Sequence, residues 1–198
     1  CTMRKLVRPF LLFAASALSA AASAQIVFPN GSIQSIAGVE YTRIVVVNAD
    51  GNNAQNGTAL LDAVADINSP SSANRFAVFL EPGAYDLGAS TLAMRSFVDV
   101  YGAGLTNTTI TGSGATTITG ANNAFLRELT VRNSGSGTTV FLANNVTTEL
   151  YRVSCVHLGT SGANTAISAQ GGASLTLVNV LASATASNAG GTNTAVSA

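Results

Sequence analysis

The sequence predicts an all-β fold, a parallel β-solenoid with coils of about 22–27 residues, and three observations predict it. The first is internal repetition. Ile118–Val131 lies without a gap over Ile167–Val180 at an offset of 49, and a middle copy from Val140 to Cys155 fits between them with a small insertion. The second is what the repeat aligns. Stacking the copies gives apolar columns Leu126/Leu150/Leu175, Leu129/Val153/Val178 and Val131/Cys155/Val180, with Thr130, Ser154 and Asn179 between the last two. One face of each strand should enter a core and the alternate face should point out. The third is composition: only 9% of residues are charged, Ser, Thr and Asn supply 59, and from Ala103 onward there is neither Pro nor helical periodicity. A β-sandwich is the alternative, but sandwiches rarely repeat their interior columns.

The chain of 198 residues suits one domain. Residues 3–24 read as a secretory signal peptide, residues 25–42 as a lead-in, and residues 43–198 as the solenoid. Arg4, Lys5 and Arg8 form the basic start, Phe10 to Ala22 the apolar run, and Ala22-Ser23-Ala24 the cleavage site, which makes Gln25 the expected mature terminus. A retained anchor is the alternative, though the apolar run is short of the roughly 20 residues a spanning helix needs. Cys1 and Thr2 precede the expected initiator, Met3. Export leaves six Arg against nine acids, net −3, with no Lys and a single thiol, Cys155. The expected location is secreted, periplasmic or at the cell surface, with no membrane segment after cleavage. Charges this few and balanced give no field toward nucleic acid.

Arg43–Asn48 is a β-branched strand, stopped by the turn cluster Ala49-Asp50-Gly51-Asn52-Asn53. Thr58–Ile67 carries the one helical pattern of the mature chain, with Leu60, Leu61, Val64 and Ile67 on a stripe and Thr58 as N-cap. Phe76–Leu80 is the next strand, closed by Glu81-Pro82-Gly83, and short strands follow near Tyr85–Leu87, Leu92–Met94 and Phe97–Tyr101. Asn122-Asn123 and Asn144-Asn145 recur at one turn of successive coils, where Asn tolerates left-handed backbone. Asn193–Ala198 matches Asn164–Ala169, so the sequence is expected to stop inside a coil and to be a fragment.

From Arg43 onward the chain resembles the right-handed parallel β-helices of pectin lyases and pectinesterases. The resemblance is carried by Val47–Gly51 with the following helix, by Phe79–Tyr85, by Val98–Gly104 with Thr109–Gly112, and by Leu126–Asn133. It implies right-handedness, a helix capping the N-terminal end, and closest kinship to bacterial secreted β-helix proteins. Pectinesterases of that superfamily use two Asp with an assisting Gln and Arg. Here Glu149–Cys155 resembles the strand before their first catalytic motif, yet Val156-His157-Leu158-Gly159 follows, without Gln or Asp.

The expected chemistry is correspondingly thin. After Asp99 there is no Asp, and the two acids beyond it, Glu128 and Glu149, sit differently on their coils and should point apart. No catalytic residue, cofactor or metal site is expected, and Asp50-Gly51-Asn52-Asn53 reads as a turn instead of a Ca²⁺ loop. Glu128 and Arg152 should form an exposed ion pair across coils. His157 shares a column with Asn133 and Ala182 and reads as a surface or turn residue, and Cys155 as an inert buried thiol. Tyr151, Arg132 and Arg152 are suited to line a shallow polysaccharide-contacting face. The function expected is a secreted or surface scaffold, adhesin-like and in contact with polysaccharide. The alternative is a polysaccharide-active esterase, lyase or hydrolase whose active site lies beyond residue 198.

Overall fold

The computed structural model describes residues 41–159, 162–186 and 192–198. The expected leader, its expected cleavage site and the lead-in up to residue 40 lie outside the described residues. The elements in chain order are β1 (Arg43–Val47), α1 (Asn53–Ala65), β2 (Phe76–Leu80), β3 (Gly83–Asp86), β4 (Leu92–Ala93), β5 (Val98–Tyr101), β6 (Thr108–Gly112) and β7 (Thr116–Thr119). They continue with β8 (Ala124–Asn133), β9 (Gly137–Leu142), β10 (Thr147–His157), β11 (Asn164–Ala169), β12 (Ser174–Val178), β13 (Leu181–Ala184) and β14 (Asn193–Ser197). Every pairing between these strands is parallel, and the described residues form a β-solenoid of about four turns with one short helix.

Each coil has three faces. Face A stacks β1, β2, β5, the first half of β8, the first half of β10, and β12. Face B stacks β3, β6, the second halves of β8 and β10, and β13. Face C stacks β4, β7, β9, β11 and β14. Faces A and B meet at a corner where Glu128 and Arg152 take left-handed backbone, φ 56° and 50°, and Asn179 does the same in the last coil at 53°. Asn123 and Asn145 make the corner between faces C and A in the same way, φ 54° and 59°, and Gly171-Gly172 replaces the Asn pair one coil later. Both corners place residues that tolerate this conformation or are held in it by stacking.

The core is a set of apolar columns running along the stack. Val78, Val100, Leu126 and Leu150 line face A, Ile110, Val131 and Cys155 line face B, and Leu92, Ile118, Val140 and Ile167 line face C, all essentially without solvent exposure. Tyr85 closes the first coil: its ring is fully buried, and its hydroxyl lies 2.9 Å from the Glu81 carbonyl and 3.0 Å from that of Val47. The predicted match of Asn164–Ala169 with Asn193–Ala198 is the β11–β14 register, Asn164 opposite Asn193 and Ser168 opposite Ser197.

Three expectations need correcting. The helix begins at Asn53, not Thr58, and its cap is Asn52, which forms a capping box with Gln55. Gly57 is a helical glycine lying so close to the Asp86 backbone that a Cβ there would sit 1.9 Å from its carbonyl oxygen. Leu60, Val64 and Ile67 are buried in the core, and α1 packs on β1, β2 and β3.

The last coil follows a register two residues longer than the gapless match implied. Leu150 pairs with Leu177 instead of Leu175, and Cys155 pairs with Ala182. Val178 is therefore an outward residue, 36% exposed, and Asn179 falls in the corner column of Glu128 and Arg152. The cause is the two-residue insertion between β9 and β10: it shifts β8→β10 to an offset of 24 where β7→β9 is 22, and the next coil retains it. Thr130, expected outside, is buried because the 102–107 loop covers it and its hydroxyl donates to Leu105 O at 2.7 Å. Among the described residues no helix is long and apolar enough to cross a membrane.

Candidate functional site

Two outward columns run up face A, because alternation leaves every second residue of its strands outside the core. One is Ile44, Ala77, Asp99, Phe125, Glu149 and Thr176; the other is Val46, Phe79, Tyr101, Arg127, Tyr151 and Val178. Together they hold most of the aromatic and ionic contacts of the described residues.

At the centre of the first column Asp99 is fully buried, although its neighbours Val98 and Val100 point into the core. Its covering comes from elsewhere in the chain. Tyr41 donates its hydroxyl to Oδ2 at 2.6 Å, Arg75 Nη2 reaches both carboxylate oxygens at 3.2 Å, and the Phe125 amide donates to Oδ1 at 2.9 Å. The Tyr41 and Tyr101 hydroxyls lie 2.5 Å apart. Burial, and then the bond to Asp99, hold the Tyr41 phenol far above its ordinary range, so it serves as a donor and not as a base.

Arg127 occupies the middle of the second column. Its guanidinium lies 4.5 Å from the Phe125 ring centroid, 5.6 Å from that of Tyr151 and 5.7 Å from that of Tyr101. Its Nη2 bonds Glu149 Oε1 at 3.2 Å. Arg75 likewise stacks on Phe97 and Phe125. Ring faces take the place of hydrogen-bond partners for the Nε atoms of both arginines, which are buried and unpaired.

The residues predicted as a glycan-contacting set do not share one surface. Tyr151 belongs to the face A strip. Arg152 stands at the corner and pairs with Glu128 at 3.3 Å, the predicted ion pair. Arg132 is exposed on face B, beside a shallow groove of about 430 Å³ floored by Thr109, Thr130 and Ser154 and flanked by Leu105 and Thr106. Glu128 and Glu149 belong to separate ion pairs in different columns.

His157, read as a surface residue, is fully buried opposite Asn133, and Ala184, not Ala182, follows in its column. Its Nε2 lies 3.1 Å from Gly135 O, which can only accept, so that nitrogen carries the proton, and Nδ1 faces the Thr139 hydroxyl at 3.2 Å. Burial pushes the imidazole below its ordinary value. The Cys155 thiol is buried and pushed up to about 12 by desolvation, which keeps it unreactive. Among the described residues no group of three or more His, Cys, Asp or Glu side chains could hold a metal ion.

No known family, no curated protein and no solved structure matches this chain. The fold defines the class, a parallel β-solenoid, with one outward face that concentrates aromatic rings.

Proposed function

We propose that this protein is an exported β-solenoid scaffold that holds polysaccharide along face A without cutting it. The carrying observation is the strip Val46–Phe79–Tyr101–Arg127–Tyr151, one residue from each of five successive strands, with Phe79 37% and Val46 53% exposed. Apolar rings and aliphatic groups in a line along one face, exposed at Val46 and Phe79 and half-buried at Tyr101, Arg127 and Tyr151, mark an interaction surface, and tyrosines suit a partner that is apolar on its faces and hydroxylated at its edges. The two carboxylates beyond Asp99 support binding over cleavage, since each is held by an arginine of a neighbouring coil. We further infer that the fold is the right-handed β-helix of the pectin lyase-like superfamily, a placement supported by the three-faced parallel coils and the helix packed on the first of them. Export to the periplasm, cell surface or medium belongs to the same reading.

The test is co-sedimentation of the purified protein with a panel of insoluble polysaccharides, combined with assays for released methanol, reducing ends and unsaturated uronate. Retention without release is expected. Turnover that disappears in Glu128→Ala or Glu149→Ala would overturn the reading and make a carboxylate catalytic.

A further inference from the structure

Resting on the binding role just proposed, we infer that face A takes a neutral, extended β-linked glycan laid along the stacking axis, and not a polyuronate.

The arginines of face A already hold counter-ions. Arg75 is held by Asp99, Arg127 by Glu149, and Arg152 at the corner by Glu128. Arg43 stands at the head of β1, outside both outward columns. A uronate carboxylate arriving at the strip would therefore have to displace a protein carboxylate already in place and then sit beside it. Exchange of one anion for another gains little, and the like charges left together oppose it. An uncharged chain meets no such obstacle.

The surface that remains is apolar. Val46, Phe79, Tyr101, Tyr151 and Val178 form a line of rings and aliphatic groups interrupted only by the stacked Arg127 guanidinium. A pyranose whose substituents are all equatorial presents C–H groups on both faces, and these pack on aromatic rings and on the edge of a stacked guanidinium. An axial hydroxyl, as in galactose, spoils one of those faces. The chemistry of the strip thus favours glucose-, N-acetylglucosamine- or xylose-type units in β linkage.

The spacing of the coils fits the same ligand. Adjacent strands lie about 4.8 Å apart, so Tyr101 and Tyr151, two strands apart, are separated by about 10 Å. That separation matches two units of an extended β-1,4 chain, in which the same sugar face recurs at every second unit. From Val46 to Val178 the column covers about 24 Å, room for a short oligosaccharide.

The test is calorimetric titration of the full chain with cellohexaose, chitohexaose and xylohexaose, against hexagalacturonate and a neutral β-1,4-galactohexaose, at low and high salt. The expected result is that at least one equatorial neutral hexamer binds about tenfold tighter than either galacto chain, with less than about twofold change on adding salt. Tyr151→Ala should weaken it about fivefold or more and Tyr151→Phe should not, while Arg132→Ala on face B changes nothing. Phe79→Ser, at an exposed position, serves as the second variant, with circular dichroism confirming the fold. Tighter, salt-sensitive binding of hexagalacturonate would overturn this inference and leave the polysaccharide role standing. Binding of no oligosaccharide would overturn both, and so would a concentration-dependent dimer dissolved by Phe79→Ser, which would make the strip a contact with a second copy.

Discussion

Replacing Asp99 with Ala should be among the most damaging single substitutions on face A. The carboxylate is fully buried and receives Tyr41, Arg75 and the Phe125 amide. Removal leaves the Arg75 guanidinium, whose side chain is only 14% exposed, without its counter-ion, and two further donors without an acceptor. Breaking one side of a buried pair in this way costs about 3–5 kcal/mol, a large fraction of the stability of a domain this size. Tyr41→Phe removes one of several donors to the same group and should cost about 1 kcal/mol. The informative experiment is a double-mutant cycle with Asp99→Leu and Arg75→Met, read by urea unfolding followed by far-ultraviolet circular dichroism. Because the double variant buries no unpaired charge, its loss should be smaller than the sum of the single losses by about 1–3 kcal/mol. Strict additivity, or a loss below about 1 kcal/mol in Asp99→Ala, would refute the assignment of Asp99 as the ionic anchor of face A.

Other substitutions test other parts of the account. Val153→Asp should cost several kcal/mol by burying an unpaired carboxylate, whereas Val178→Asp should cost under about 1 kcal/mol in urea unfolding, because Val178 faces out; equal losses would restore the shorter register. Gly57→Ala should destabilise by about 1–2 kcal/mol despite the better helix propensity of Ala, since the new methyl meets the Asp86 backbone. A gain in melting temperature would mean that α1 does not dock on β3. For His157, burial depresses the folded value below the unfolded one near 6.5, so the unfolded chain binds the extra proton first. Its contribution to stability is full above about pH 6.5 and falls as pH drops from there through the folded value, by at most about 1.4 kcal/mol per pH unit. Subtracting the pH profile of His157→Gln should isolate that slope; identical profiles would contradict the burial.

The interior columns were legible because a coil repeats its apolar positions wherever it packs on the coil below, so Leu126/Leu150, Leu129/Val153 and Val131/Cys155 stand in the register the pattern implied. The last coil misled for a physical reason. Leu175 and Leu177 alternate, so either shift puts a leucine under Leu150, and only the retained two-residue insertion decides between them. The start of the helix was missed because its apolar stripe begins only at Leu60, whereas its first turn is fixed by the polar Asn52–Gln55 capping box, inside and beside what read as the turn cluster. His157 lies two residues after Cys155, so alternation alone places it inside; its polarity suggested the surface, and Gly135 and Thr139 supply the partners that make burial tolerable. Asp99 was invisible as a buried group because its cover is non-local, drawn from Tyr41 and Arg75, 58 and 24 residues away. The aromatic strip was half visible: Tyr151 stood out, but Phe79, Tyr101 and Arg127 join it only once coils of unequal length are placed in register.

The most direct test of the central claim is a map of amide chemical-shift changes in ¹⁵N-labelled protein titrated with a soluble neutral β-1,4 hexasaccharide. Changes are expected at Val46, Phe79, Tyr101, Arg127 and Tyr151, in line across successive strands of face A, with Arg132 on face B and Thr165 on face C undisturbed. Changes centred on Arg132 and the groove beside it, or no changes at saturating sugar, would contradict it.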